Sequence, residues 1–170
     1  MYKIILSLFL TLFLFSCATT NSNIKLNKFM DPDTGVETVE SIIAFHNNLE
    51  EDLISFNQTK NPQNISWYII GKFCPKIKNE FTSLNLIIDA KSNIIEVGGS
   101  YNSYDVKTQN SNIFRKIDYF KINERIIADL NKSKSIQLEF KNDTESENFF
   151  FNKEQLAAVK NWVKNITIPK

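Results

Sequence analysis

The sequence predicts a single α+β domain that is dominated by antiparallel strands and carries two short helices in its C-terminal third. Runs of β-branched and aromatic residues that end in turn residues recur through the middle of the chain. Two helix-capping patterns stand near the C-terminus. Hydrophobic residues make up 42% of the chain, including 14 Phe, which is enough for a packed core. The length suits one domain, and the composition excludes disorder over most of the chain.

The first residues are typical of an export signal. Lys3 precedes an apolar run over residues 4–15 that only Ser7 and Thr11 interrupt. A helix needs about 20 apolar residues to cross a bilayer, and this run is shorter. Residues 1–16 are therefore expected to be a signal peptide that is removed.

The apolar run ends in Leu14-Phe15-Ser16-Cys17, with a leucine three residues before the cysteine and a small residue directly before it. This motif resembles the lipobox of bacterial lipoproteins. The resemblance implies cleavage before Cys17, a thioether lipid on its sulfur, and an acyl chain such as palmitate on the new amino group. Each buried CH₂ then contributes about 0.8 kcal/mol to membrane binding. The alternative is a secretory signal in which Cys17 is incidental.

The residues after Cys17 suggest where the lipoprotein resides. Enteric-type lipoproteins of the inner membrane usually carry Asp next to the cysteine, whereas Ala18 stands here. By resemblance, the chain is expected on the outer membrane, facing the periplasm because no acidic run follows. Residues 17–28 are expected to be the lipid anchor and a flexible tether reaching about 15–20 Å, and residues 29–170 the globular domain.

Charge and cysteine content exclude several functions. The chain has 20 Lys plus Arg and 19 Asp plus Glu, and cleavage removes only Lys3, leaving 19 of each. A neutral chain has little electrostatic reason to bind nucleic acid. With Cys17 lipidated, Cys74 has no partner for an internal disulfide. One histidine, His46, and one free cysteine do not make a zinc site without several carboxylates, so no cofactor is expected.

Strands are predicted through the first two thirds of the domain. Residues 31–35 read as a turn containing Pro and Gly. Residues 36–56 fit both a helical stripe and a strand, and their β-branched content favours the strand. Residues 65–73 and 112–122 read as strands, and residues 83–99 as a hairpin that turns at residues 90–93.

The last fifty residues predict the order helix, strand, strand, helix. Asn123 can cap a helix over residues 124–133, and two strands follow around a turn at residues 142–144. Asn152 and Gln155 form a capping-box pattern for the final helix. That helix is expected to turn one set of side chains towards the core: Leu156, Val159, Trp162 and Val163. In the triplet at residues 149–151, alternation should send at least one Phe off the core side, and a place under a helix is favoured over an exposed patch.

Candidate chemistry is sparse. Glu50, Glu51 and Asp52 cluster, as do Asp143, Glu145 and Glu147, and both groups are interpreted as solvated faces. A hydrolase that uses carboxylates or Cys74 is the alternative function. Cys74 is interpreted as a small buried hydrophobe, since neither it nor His46 lies in a nucleophile motif.

The leading function is a non-catalytic binding or structural lipoprotein. Its partners would be the membrane, through lipidated Cys17, and an envelope protein or external ligand. The best candidates for ligand contacts are Tyr101 and Tyr104, which stand in a polar segment, residues 98–112, that is interpreted as a loop. An inhibitor or immunity protein is a third possibility that no sequence feature favours.

Overall fold

The structure, a computed structural model, describes residues 24–47, 50–73, 81–106 and 112–168. These residues are mostly antiparallel β-sheet with two helices, both in the C-terminal part, so the predicted α+β class is confirmed. In chain order the elements are β1 (Ile24–Met30), β2 (Glu37–Asn47), β3 (Glu50–Lys60), β4 (Ile65–Phe73), β5 (Ser83–Ile88), β6 (Lys91–Glu96), β7 (Gly99–Val106), β8 (Asn112–Ile122), α1 (Glu124–Lys132), β9 (Ile136–Lys141), β10 (Ser146–Phe150) and α2 (Lys153–Asn165).

The described strands form two antiparallel sheets. The large sheet has the strand order β1-β2-β3-β4-β8-β7, and the small sheet has the order β10-β9-β5-β6. The chain returns from the small sheet to the large sheet between β6 and β7. There the amide of Val97 donates to the carbonyl of Thr82 (3.0 Å), and the amide of Gly98 donates to the carbonyl of Tyr119 (2.7 Å). Strand β7 then pairs with β8, which lies beside β4 in the large sheet.

The connection between β1 and β2 is the predicted turn. The carboxylate of Asp31 accepts hydrogen bonds from the amides of Asp33 (2.9 Å) and Thr34 (3.3 Å). Bonds from the Thr34 side chain and from these amides lower the pKa of Asp31. Gly35 adopts a φ of 67°, a left-handed conformation that glycine tolerates best.

Strand β1 corrects the predicted extent of the tether. The polar composition of residues 24–28 predicts a tether, but these residues pair with β2, beginning with Ile24 opposite Ile43. As an edge strand, β1 exposes every residue after Ile24, so backbone hydrogen bonds to one neighbour hold it rather than apolar burial. The described sheet therefore includes residues that the composition placed outside the domain.

Most of the other predicted elements are confirmed. Within the ambiguous segment, residues 37–47 and 50–56 form strands, and the predictions at residues 65–73 and 112–122 are confirmed. In the hairpin of β5 and β6 the turn is earlier than predicted. Asp89 and Ala90 take positive φ, so residues 91–93 already pair in β6. The loop interpretation is wrong for residues 99–106, because Gly99–Val106 pairs with β8 as strand β7, and residues 107–111 lie outside the described residues.

The core lies between the inner face of the large sheet and a layer made by the small sheet and the two helices. Phe140 of β9 stands at its centre, with its ring centroid 4.9 Å from that of Phe73, 5.3 Å from Phe120 and 5.7 Å from Phe149. The ring of Phe73 lies over Gly71, where a Cβ atom would overlap it. The two sheets are therefore joined through an aromatic cluster.

Both helices begin at the predicted caps. The side chain of Asn123 accepts from the amide of Ile126 (3.1 Å) at the start of α1. At α2, Asn152 and Gln155 exchange two bonds of 2.9 Å, which confirms the capping box. Val159, Trp162 and Val163 are buried and Leu156 is partly buried, as predicted. The indole of Trp162 donates to the carbonyl of Val39 (3.0 Å), which fastens α2 to β2.

The Phe triplet alternates as strand geometry requires. Phe149 points into the core, whereas Phe150 is 68% exposed. The favoured position under a helix is therefore wrong for Phe150, because it lies on the face of β10 that is turned away from the core.

Candidate functional site

The outer face of the large sheet carries the candidate site. Side chains alternate along each strand, so the residues between core positions point away from the small sheet and the helices. The register aligns Glu40, Asn57 and Tyr68 across β2, β3 and β4. In the next row, Ile70 of β4 stands opposite Tyr119 of β8. A cleft of about 550 Å³ opens over these rows, and we call it the outer cleft.

Aromatic and aliphatic side chains form the walls of the outer cleft. Tyr68 and Tyr119 meet edge to face, with ring centroids 6.4 Å apart and planes at 85°. Ile70 is adjacent, and Phe29 of the edge strand closes one end with 54% of its surface exposed. Gly98 and Gly99 also line the cleft and leave the backbone bare at the β7 side. A ring or an acyl segment can pack against such walls.

Polar groups are interleaved with the aromatic ones. Glu40 supplies an acceptor, Lys72 a cationic donor, and Asn57 both a donor and an acceptor. Thr38 and Thr59 stand opposite each other in register and add two hydroxyls. Among the described lining residues, Glu40 is the sole carboxylate. This set can orient an amphipathic ligand but does not contain the carboxylate pair that a glycosidase needs.

The acidic segments of the chain come together in the fold. Asp52 of β3 is buried, with 8% exposed, and Glu147 of β10 is half-buried. Burial of the Glu147 carboxyl, and then the negative charges of Asp52 and Glu145, raise the pKa of Glu147. We call Asp52, Glu145 and Glu147 the acidic cluster. The interpretation of two separate solvated faces is wrong for Asp52 and Glu147, because β3 and β10 approach each other across the core.

The described residues give no sign of a metal centre. Among them, no group of three or more His, Cys, Asp or Glu side chains is placed to hold a metal ion.

A second cleft of about 520 Å³ lies at the β3–β4 hairpin, where a polar loop meets Trp67 and Glu124. Among the described residues, no helix is long and apolar enough to cross a membrane.

The residues predicted from sequence fall in different places. Cys17 and Cys74 lie outside the described residues. Tyr101 and Tyr104 belong to β7, opposite Ile117 and Phe114 of β8, instead of the predicted loop. Tyr101 follows two residues after Gly99, so the predicted tyrosine segment begins at the border of the outer cleft.

Sequence reasoning missed Tyr68 and Tyr119. The alternation in residues 65–73 does separate Tyr68 and Ile70 from the core residues Trp67 and Ile69. This alternation places Tyr68 on the face of its strand that is turned away from the core. It does not indicate that β8 lies beside β4 and brings Tyr119 to the same cleft.

No family model, curated protein sequence or solved structure matches this chain.

Proposed function

We propose that this chain is a lipid-anchored lipoprotein of a bacterial envelope, held by Cys17 on the periplasmic side of the outer membrane, and that its domain binds a ligand in the outer cleft without catalysis. The outer cleft carries the proposal. Its volume of about 550 Å³ falls in the range of ligand pockets, roughly 300–1,000 Å³, and its lining combines aromatic and aliphatic walls with polar groups that can orient a ligand. The lipobox resemblance of Leu14-Phe15-Ser16-Cys17 supports the anchor.

The lining chemistry favours an amphipathic ligand, either an external compound or a segment of an envelope protein. A flat or aliphatic part would pack on Tyr68 and Phe29. Its polar groups would bond to Glu40, Asn57 and Lys72, so the ligand is expected to carry both donors and acceptors.

Photo-crosslinking in intact cells tests the binding site. Phe29 and Phe150 are both exposed phenylalanines on edge strands, but only Phe29 lines the outer cleft. The lipoprotein is produced with p-benzoylphenylalanine at one position or the other, irradiated, and weighed by mass spectrometry. We expect an adduct at position 29 that Tyr68→Ala weakens, and none at position 150. No adduct at position 29, equal adducts at both positions, or insensitivity to Tyr68→Ala would each contradict cleft binding.

Fractionation tests the anchor. We expect Cys17→Ser to remove the lipid mass from the N-terminal peptide and to abolish recovery in the outer-membrane fraction. The thermal midpoint of the domain should stay unchanged, because Cys17 precedes the described sheet in the chain. Even the first strand of that sheet, β1, is exposed and adds little to the core. A Cys17→Ser chain that still reaches the outer membrane with a shortened N-terminus would contradict the lipoprotein proposal.

A carboxylate hydrolase is the second candidate, and the acidic cluster is the observation that favours it. A carboxyl whose pKa is raised, as that of Glu147 is, can hold a proton for general acid catalysis. In that case the purified protein would turn over a glycan or ester, and Glu147→Gln would abolish turnover while the adduct at position 29 persisted. Absence of turnover in the unaltered protein counts against the hydrolase.

A further inference from the structure

The exposed apolar side chains of the described residues concentrate in strand β1. Leu26 is 40% exposed, Phe29 54% and Met30 64%, although all belong to one edge strand. The other large apolar side chains with comparable exposure in this part of the chain are scattered: Ile94, Phe150 and Ile168. Exposed edge strands usually carry charged or polar side chains that discourage association. Strand β1 carries three exposed apolar side chains among its polar ones, and such a local concentration indicates a surface that is covered in the working protein.

Each face of β1 combines a basic residue with apolar ones: Lys25 shares a face with Phe29, and Lys28 shares the other with Leu26 and Met30. Lys25 and Lys28 are exposed on β1, and Lys28 is bonded to Glu37 of β2 at 2.8 Å. A lysine can lay its aliphatic stem along an apolar surface while its ammonium group reaches polar headgroups. Apolar and basic side chains in one exposed segment are the composition of a surface that lies in a membrane interface.

The sequence distance from the proposed anchor limits where this strand can be. From residue 17 to residue 24 the chain spans at most about 25 Å, at roughly 3.5 Å per residue. Strand β1 begins at Ile24 and is the described element nearest in sequence to Cys17. A lipid on Cys17 would therefore keep the start of β1 within about 25 Å of the bilayer surface.

We infer that the edge formed by β1 is a membrane-contact surface, on which Leu26 and Met30 from one face of the strand and Phe29 from the other enter the interface of a phospholipid bilayer, while Lys25 and Lys28 reach its phosphates. The inference rests on the proposed lipid anchor at Cys17. It fixes the orientation of the domain, with the edge of the large sheet against the membrane. Because Phe29 also closes the outer cleft, the cleft then opens beside the lipid surface.

Tryptophan fluorescence of the intact lipoprotein in vesicles tests this contact. Met30→Trp places a probe on β1, and Ile94→Trp places one at a similarly exposed position, 73%, on the edge strand β6 of the other sheet. The native Trp67 and Trp162 are buried and give the same background in both variants. The proteins are reconstituted in phosphatidylethanolamine and phosphatidylglycerol vesicles, with and without brominated acyl chains.

We expect brominated chains to quench the Met30→Trp emission at least twofold more than the Ile94→Trp emission. Equal quenching in a chain that floats with the vesicles overturns the membrane contact and leaves the anchor intact. A chain that does not float and carries no lipid on Cys17 overturns the anchor and this inference together. If Met30→Trp is unquenched and Met30→Ser converts a dimer in detergent to a monomer, β1 instead pairs with a second copy of the chain, and the inference is wrong.

Discussion

At the residue scale, Glu147 and Glu139 show how position in the small sheet sets the chemistry of a carboxylate. Glu147 lies on the core side of β10, where burial and then the charges of Asp52 and Glu145 raise its pKa. Glu139 of β9 accepts from Lys141 at 2.8 Å and from Asn85 at 3.1 Å, and these bonds lower its pKa. The two side chains therefore affect stability in opposite directions as pH changes.

The pH dependence of Glu147→Gln follows from this. The folded chain holds the Glu147 proton to higher pH than the unfolded chain does, so stability falls as pH rises from the ordinary value near 4.5 through the raised pKa. We expect Glu147→Gln to have a higher free energy of unfolding than the parent at pH 7, and to lose this advantage below pH ~4. Urea denaturation at both pH values measures the difference.

Glu139→Gln is the matched control. Its lowered pKa contributes stability above the unfolded pKa that is lost as pH falls, so this variant should be less stable than the parent at pH 7 and equal to it in acid. The environment assigned to Glu147 would be contradicted if both variants shifted stability in the same direction at pH 7.

At the scale of the element, α2 depends on its capping box. Asn152→Ala removes the acceptor for the amide of Gln155 and leaves an unsatisfied donor in the first turn. We expect a loss of about 1 kcal/mol, seen as a fall of about 2–4 °C in the thermal midpoint. Asn161, exposed within the same helix, is the control, and Asn161→Ala should be neutral or slightly stabilising. Equal losses in the two variants would indicate that the cap contributes nothing specific.

At the scale of the whole molecule, Phe140 joins the small sheet to the large one. Its ring contacts those of Phe73 and Phe120 in the large sheet and of Phe149 in β10. We expect Phe140→Ala to lower the free energy of unfolding by about 3–5 kcal/mol, since it removes a fully buried ring and leaves a cavity. Chemical denaturation measures this loss.

Phe150 provides the control for Phe140 on the neighbouring strand. It is 68% exposed, so Phe150→Ala should change the free energy of unfolding by less than about 0.5 kcal/mol. Similar losses for both variants would mean that the aromatic cluster does not hold the sheets together.

The sequence by itself determined the fold class, both helices and most of the strands. Its local signals are short-range: Asn123 and Asn152 cap helices through bonds to residues three positions away. The turn at residues 31–35 is held by Asp31 in the same way. Such contacts are formed by neighbours in the chain, so the order of residue types reveals them. Strand β7 was missed because its polar composition matches that of a loop and its hydrogen bonds go to β8.

Only the tertiary structure decided where side chains from distant segments meet. Tyr68 and Tyr119 share the outer cleft because β8 pairs with β4, and Asp52 approaches Glu147 because β3 and β10 pack across the core. Residues 24–28 of β1 resemble a tether in composition, because the pairing that holds an edge strand uses backbone groups and requires no apolar face. Pairing between strands depends on loop closure and burial over the whole chain, and the local order of residues does not specify it.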